Sequence, residues 1–395
     1  MDKIDELLTR GVANIIPGKS ELEKLLHSGK KLNIYCGFDV TAPHLHVGNA
    51  VPLRKLQQFV ELGHHVTFLI GDFTTLIGDT SDKETERPVI TEEQIEENWQ
   101  NFASQAGKIL DLSKISVRRN SEWLDKLTPR ELIKTIRRFS LNDFISRELI
   151  KKRLSSGGSV NLAEAIYPVL QGYDSYFLDT DIQVGATDQT FNMQAGRTML
   201  KQLKSKDSFV MSFNFLTGTD GRKMSKSWGN AIWLDDSPTD VFGKVMSVKD
   251  ELIEEYFTLA TNLPLDQIPH GGHPMELKKK LAWQITSELH SSKDADSAQK
   301  YFENTFENKQ TPDDAILVSL DKVKLTIHPQ DIPLSPTSLA SIAINAGTVS
   351  SNSEFKRLVN QGAVEVGESK ITDPQEEAQP GTVLKIGKRR FIKIQ

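Results

Sequence analysis

The chain has 395 residues, enough for two or three domains with developed cores. Hydrophobic residues make up 38% and charged residues 26%, which excludes a disordered or membrane-embedded class. The formal charge of −5, from 48 basic and 53 acidic side chains, excludes nucleic-acid binding driven by overall charge, so any such role must rest on local patches.

No apolar run approaches the roughly 20 residues that a membrane-spanning helix needs. The one cysteine, Cys36, rules out an internal disulfide and a multi-cysteine zinc site. The opening stretch MDKIDELLTRG has neither a signal-peptide core nor the Arg/Ser-rich character of a transit peptide. A reducing, cytoplasmic setting is therefore expected.

In chain order, LNIYC (32–36) reads as a short apolar strand, VPLRKLQQFVEL (51–62) as a helix ended by Gly63, and VTFLI (66–70) as a second strand. Strand, helix, strand at this spacing predicts a βαβ unit in a parallel sheet, with ligands at the strand ends. Residues 91 to 154 are mostly helical in pattern, with Thr91-Glu92-Glu93-Gln94 as a helix start. DIQVGATDQTFNMQAG (181–196) repeats the strand, glycine turn, helix grammar, and Asp188 is expected to cap that helix. Residues 237 to about 310 read as helical. TIHPQDIPLSPTS (326–338), with three prolines, reads as a linker. Two short helical patterns and three short strands follow, a small module of about 60 residues.

Two stretches carry the chemistry. YCGFDVTAPHLHVGN contains His44 and His46, and three readings compete: satisfied histidines in a buried turn, a metal site, or a phosphate cradle. The metal reading is the poorest, because neither histidine has a Cys or carboxylate partner at ligand spacing. In the cradle reading, His46-Val47-Gly48-Asn49 opens a helix whose unpaired N–H groups face phosphates. Gly48 lets a nucleotide approach the backbone, and His46 and Asn49 add donors. The second stretch, Lys223-Met224-Ser225-Lys226-Ser227, could be an ordinary solvated loop, but the two spellings together are a strong signal.

The pair resembles the HIGH and KMSKS signatures of class I aminoacyl-tRNA synthetases, with Asn49 in place of the second histidine. GDFTTLIGD, YPVLQGYD and VGATDQTFN extend the resemblance across nearly the whole chain, specifically to bacterial tyrosyl-tRNA synthetases. In Tyr167-Pro-Val-Leu-Gln171-Gly-Tyr-Asp174, spacings of four and three put phenol, amide and carboxylate on one helix face. A solvated face could do the same, but the neighbouring Val169 and Leu170 argue for burial and a ligand site.

The resemblance implies roles. Tyr35 and Asp174 would meet a substrate phenol, and Asp79, Tyr167 and Gln171 its ammonium, with Thr74 and Gln189 alongside. Cys36, Gly37, Asp39, Gly48 and Asp188 would border ATP, while Thr41, His46, Asn49, Lys223 and Lys226 would act on its phosphates. Cys36 could equally be an ordinary buried thiol at a strand end. ATP would bring Mg²⁺, and no protein-bound metal is expected. Thr75, Thr80-Ser81-Asp82 and Trp228 depart from the family pattern.

The expected fold is α/β: a Rossmann-like catalytic domain (1–232) with a helical insertion at about 113–180, an α-helical domain (233–325), and a small α+β RNA-binding domain (334–395) resembling ribosomal protein S-four. That last module holds eight basic and seven acidic residues from Asp331 onward, so clustering rather than sum favours RNA. Lys356, Arg357, Lys388, Arg389 and Arg390 are its RNA-contacting candidates, and Lys151, Lys152 and Arg153 are those for the acceptor stem. The family implies a homodimer, with tRNA(Tyr), L-tyrosine and ATP as partners. The tryptophan enzyme of the same class is the alternative, although an indole offers no hydroxyl to Asp174. A synthetase-like RNA binder without activity is a second, disfavoured by the intact His46, Asp79, Asp174, Lys223 and Lys226.

Overall fold

The computed structural model describes residues 2–79, 90–224, 228–308, 312, 315–323, 335–367, 369–387 and 390–395. Lys226, Lys388, Arg389, Thr80-Ser81-Asp82 and most of the proline-rich stretch lie outside these. The chain divides into two compact units, Met1–Gln299 and Lys300–Gln395.

The first unit is built on six strands: β1 (Val12–Ile16), β2 (Asn33–Phe38), β3 (His65–Ile70), β4 (Ser116–Arg119), β5 (Ile182–Ala186) and β6 (Phe209–Phe213). Their spatial order is β1-β6-β5-β2-β3-β4, parallel throughout except for β1 against β6. Helices cover the sheet, as parallel crossovers require. The helix Val47–Glu61 returns from β2 to β3 and buries Ala50, Val51, Leu53, Leu56 and Phe59. It starts four residues before the apolar pattern does, because His46 caps it: Asn49 N–H donates to His46 Nδ1, and His46 N–H to Asn49 Oδ1. Thr91 and Gln94 form the same reciprocal cap on Glu92–Ala106.

Strand β4 was not legible. Its sequence, SVRR, is mostly exposed at the sheet edge, and charge on an edge strand hides the apolar alternation. The cap expected at Asp188 is corrected. A 3₁₀ turn, Thr187–Gln189, intervenes, so the helix Thr190–Lys204 has Gln189 at its N-cap. Residues 238 to 302 are helical, the longest element being Pro274–Leu289.

The second unit carries the sheet β7 (Ile316–Val318), β8 (Val364–Val366), β9 (Ser369–Lys370), β10 (Val383–Ile386) and β11 (Arg390–Ile394), in the order β7-β11-β10-β8-β9. Only β7 runs parallel to its neighbour. The helices Leu339–Asn345 and Asn352–Asn360 pack Leu339, Ile342 and Phe355 onto Leu384 and Ile392. The fold is mixed α/β with a small C-terminal sheet module. No helix among the described residues is long and apolar enough to cross a membrane.

Candidate active site

The ends of β2 and β5, the turn after β3 and the start of the helix Val47–Glu61 open into one cavity of about 520 Å³. Every catalytic, amino-acid and nucleotide residue expected from the sequence lines it, apart from Lys226, which lies outside the described residues.

One end of the cavity is polar and deeply buried. The helix Leu162–Phe177 turns Tyr167, Gln171 and Asp174 inward, and Tyr35 reaches across from β2. Asp174 is 3% exposed. Trp123 Nε1–H donates to its Oδ1 at 2.7 Å, and Asn120 Nδ2–H to its Oδ2 at 3.3 Å. Burial nevertheless pushes the Asp174 carboxyl up to about 8, against the pull of those two donors. Tyr35 and Tyr167 are pushed up as well, chiefly by burial and then by nearby carboxylates, so both remain neutral phenols. Asp39 is a hub, accepting from Tyr167 Oη at 3.0 Å and from Thr74 Oγ1 at 2.9 Å. Asp79 accepts from Gln189 Nε2 at 2.6 Å and Asn192 Nδ2 at 3.4 Å.

Thr75 has a visible job. Its hydroxyl donates to the Gly71 carbonyl at 2.6 Å and accepts from Val40 N–H at 3.1 Å, tying the turn after β3 to the chain just past Asp39.

The other end is built for an anion. His46 is largely buried, which lowers its pKa to about 4, with the Lys223 charge adding to the effect. The ring is therefore neutral at pH 7. Because Nδ1 accepts from Asn49 N–H, the ring proton sits on Nε2 as a donor. A Cβ at Gly48 would lie 3.0 Å from His46 Nδ1, so glycine keeps this cap and the approach to the backbone open. Lys223 Nζ lies 5.6 Å from the Phe215 ring centroid. The segment beyond Lys223 returns to the first signature: Val47 N–H donates to Ile232 O at 2.9 Å, and Leu234 N–H to Leu45 O at 2.8 Å. Arg222 and Trp228, on either side of the Lys223–Ser227 stretch, stack with 4.6 Å between guanidinium and ring. Burial raises the Cys36 thiol, so it is an uncharged lining group.

Residues 27–307 match the family described as tRNA synthetases class I (W and Y). A tyrosine–tRNA ligase of Carboxydothermus hydrogenoformans is 40% identical, over 98% of this chain and 97% of its own length. One from Oleidesulfovibrio alaskensis is 38% identical over 100% and 99%. The chain belongs to the class I tRNA synthetases. Among solved structures, the tyrosyl-tRNA synthetase of Archaeoglobus fulgidus complexed with L-tyrosine has the same fold (TM-score 0.59, 21% identity, 75% of this chain and 100% of the other). The C-terminally truncated mitochondrial enzyme of Aspergillus nidulans does too (TM-score 0.64, 22% identity, 77% and 94%).

In this class I synthetase, motif reading missed Asn120, Trp123, Ser175, Gln183 and Asn192. Two of these left a signal: Gln183 as an amide inside the apolar strand IQVGA, and Asn192 as the last residue of VGATDQTFN. Arg153 is corrected: it is buried, with Nη1 and Nη2 each 3.0 Å from a Glu164 carboxylate oxygen, and so is committed to an internal ion pair rather than to RNA. Lys151 and Lys152 beside it are exposed. In the second unit Lys356 is half-buried and Arg357 and Arg390 are exposed, with Arg390 also donating to the Thr348 carbonyl.

Proposed function

We propose that this class I synthetase is a tyrosine–tRNA ligase. It joins L-tyrosine to ATP, giving tyrosyl-adenylate and pyrophosphate, and then passes the tyrosyl group to the 3′-terminal ribose of tRNA(Tyr). One observation carries the amino-acid assignment: Tyr35 and Asp174, each 3% exposed, form a buried polar floor in the cavity that Tyr167, Asp39 and Asp79 also line. A floor of this kind costs free energy unless a ligand hydroxyl completes it, so phenylalanine is rejected by the groups it would leave unpaired. Asp79, Tyr167 and Gln171 hold the ammonium group, with Thr74 and Gln189 alongside.

In the first step the tyrosine carboxylate, ionised at neutral pH, attacks the α-phosphorus of ATP. A P–O bond forms, the bond to the bridging oxygen of pyrophosphate breaks, and no general base is needed. Catalysis then rests on alignment and on donors placed where charge grows. Thr41, Asn49, neutral His46 donating from Nε2, Lys223 and Lys226 supply them. Cys36, Gly37, Asp39, Gly48 and Asp188 border the nucleotide. Mg²⁺ enters with ATP as part of that substrate, held by phosphate oxygens and water.

The division into a catalytic domain (1–232), a helical domain (233–325) and an RNA-binding domain (334–395) belongs to the same reading, except that β7 (Ile316–Val318) pairs with β11 in the C-terminal sheet, so the helical stretch ends before it. Lys151 and Lys152 address the acceptor stem, and Lys356, Arg357, Lys388, Arg389 and Arg390 the body of the tRNA. A homodimer is supported by apolar side chains at the surface of the 113–180 stretch: Ile133, Leu141 and Leu162 are 60%, 60% and 72% exposed. The setting is the cytoplasm, where charged tRNA is consumed.

The test is ATP–pyrophosphate exchange without tRNA, with tyrosine, phenylalanine and tryptophan supplied separately. Exchange with tyrosine alone is expected. Exchange with tryptophan instead would overturn the roles of Tyr35 and Asp174, and exchange with none would remove the catalytic reading.

A further inference from the structure

Behind Tyr35 lies a chain of hydrogen bonds whose direction is set at its far end. Gln183 Nε2–H donates to the Met193 carbonyl at 2.9 Å. The opposite amide orientation would press two oxygens together, so Gln183 Oε1 must face Ser175. Ser175 Oγ lies 2.8 Å from that oxygen and must donate to it. Tyr35 Oη lies 2.8 Å from Ser175 Oγ, whose proton is already committed, so Tyr35 is the donor there. The other polar atoms around this pair, Gln171 O and Gln183 Oε1, each at 3.4 Å from Tyr35 Oη, are acceptors too. No freedom is left for the chain to reverse. It is also tightly walled: a Cβ at Gly196 would come within 2.4 Å of Ser175 Oγ and 2.6 Å of Gln183 Oε1.

We propose that Gln183 and Ser175 are specificity-determining positioning residues: by consuming the Tyr35 proton they leave only its lone pairs facing the pocket, so that the bound amino acid must donate a hydrogen bond from its para substituent. This deepens the tyrosine–tRNA ligase reading and rests on it. The ligand hydroxyl gives its proton to Tyr35 Oη, and its own oxygen is left to accept from a second group. Asp174 is that group, in its protonated form. Its two other contacts, Trp123 Nε1 and Asn120 Nδ2, can only donate to it, which leaves its own proton for the ligand.

The substrate class follows. A para O–H donates to Tyr35 and accepts from protonated Asp174; a para NH₂ donates one hydrogen to Tyr35 and its second to Asp174 in its ionised form; a substituent without a donor satisfies neither. 4-Aminophenylalanine has nearly the shape of tyrosine, donates well and accepts poorly, so it separates the two possible polarities of Tyr35.

The experiment is pyrophosphate exchange by the full chain with tyrosine, 4-aminophenylalanine and phenylalanine, for the wild type and for Ser175→Ala. The wild type is expected to use 4-aminophenylalanine within about tenfold of tyrosine and about a hundredfold better than phenylalanine. Ser175→Ala removes the acceptor at 2.8 Å and leaves the Tyr35 hydroxyl only the two long contacts at 3.4 Å, so the preference for tyrosine over phenylalanine falls about tenfold through the KM for tyrosine, while the KM for ATP stays unchanged. A wild type that uses tyrosine but treats 4-aminophenylalanine like phenylalanine has a donating Tyr35 and overturns the proposal. So does a Ser175→Ala enzyme with unaltered selectivity, or one whose ATP KM rises equally. Should Ser175→Ala not fold, the wild-type comparison still decides. Absence of exchange with tyrosine itself would be the failure of the functional reading, a separate result.

Discussion

Trp123→Phe tests the buried floor through a residue that touches no expected substrate atom. Phenylalanine keeps an aromatic ring beside Phe177, which stacks on Trp123 at 4.4 Å between centroids, and removes the N–H that donates to Asp174 at 2.7 Å; the ring volume lost with it adds a cavity cost that does not change with pH. The size of the loss depends on the charge of Asp174. At pH 6, below its value of about 8, the carboxyl is protonated and the lost bond is a neutral one, costing about 1 kcal/mol. At pH 9 it is a carboxylate, and the lost bond is charge-assisted, costing about 2–3 kcal/mol. The sign follows from linkage. A carboxyl raised in the folded state contributes stability that is full below its unfolded pKa and is lost as pH rises through the folded one. Removing a donor raises the folded pKa further, so the variant goes on losing stability above pH 8, where the wild type levels off. The gap between the two proteins therefore widens with pH. Urea denaturation followed by circular dichroism at pH 6, 7.5 and 9 reads this directly. A gap that is constant across pH, or that narrows toward pH 9, would refute the assignment of Asp174 as a buried carboxyl held by Trp123. In exchange assays the same variant raises the KM for tyrosine about tenfold and leaves that for ATP unchanged.

Three further outcomes are expected. His46→Ala lowers the exchange kcat by about a hundredfold, and because burial holds His46 near 4, the wild-type rate shows no histidine inflection between pH 6 and 8; an inflection near 6.5 that vanishes in the variant would contradict this. Lys223→Ala lowers kcat by about a hundredfold with the KM for tyrosine little changed, measured by the same assay. Lys356→Ala combined with Arg357→Ala weakens tRNA charging and flattens its salt dependence by about one or two charges, while exchange without tRNA is untouched; equal losses in both assays would mean the second unit serves stability alone.

Much of the site was legible because its signals are local. HVGN announces a helix start through residues three apart, and Tyr167, Gln171 and Asp174 share a face through spacings that any helix imposes. The residues that hold Asp174 were not legible, since Asn120 and Trp123 follow the edge strand β4 and reach the site only because β4 pairs with β3. Arg153 misled because a cation in a KKR run looks solvated until a partner eleven residues on, Glu164, turns it inward. Asp188 misled because a 3₁₀ turn consumed the residues a simple cap would have used. These are outcomes of tertiary contact, which spacing along one segment cannot carry.

The backbone ties of Val47 to Ile232 and of Leu234 to Leu45 matter for anyone exchanging parts between relatives. The first signature and the short segment just past the second lie far apart along the chain, yet they are stitched as though they were neighbouring strands of one hairpin. A graft that imports the first signature from a relative must bring the 231–234 segment with it, or the helix start and the lysine-bearing stretch will be set to two different templates. The natural unit of inheritance here is a pair of segments rather than a motif, and a chimera boundary is safest where it cuts neither member.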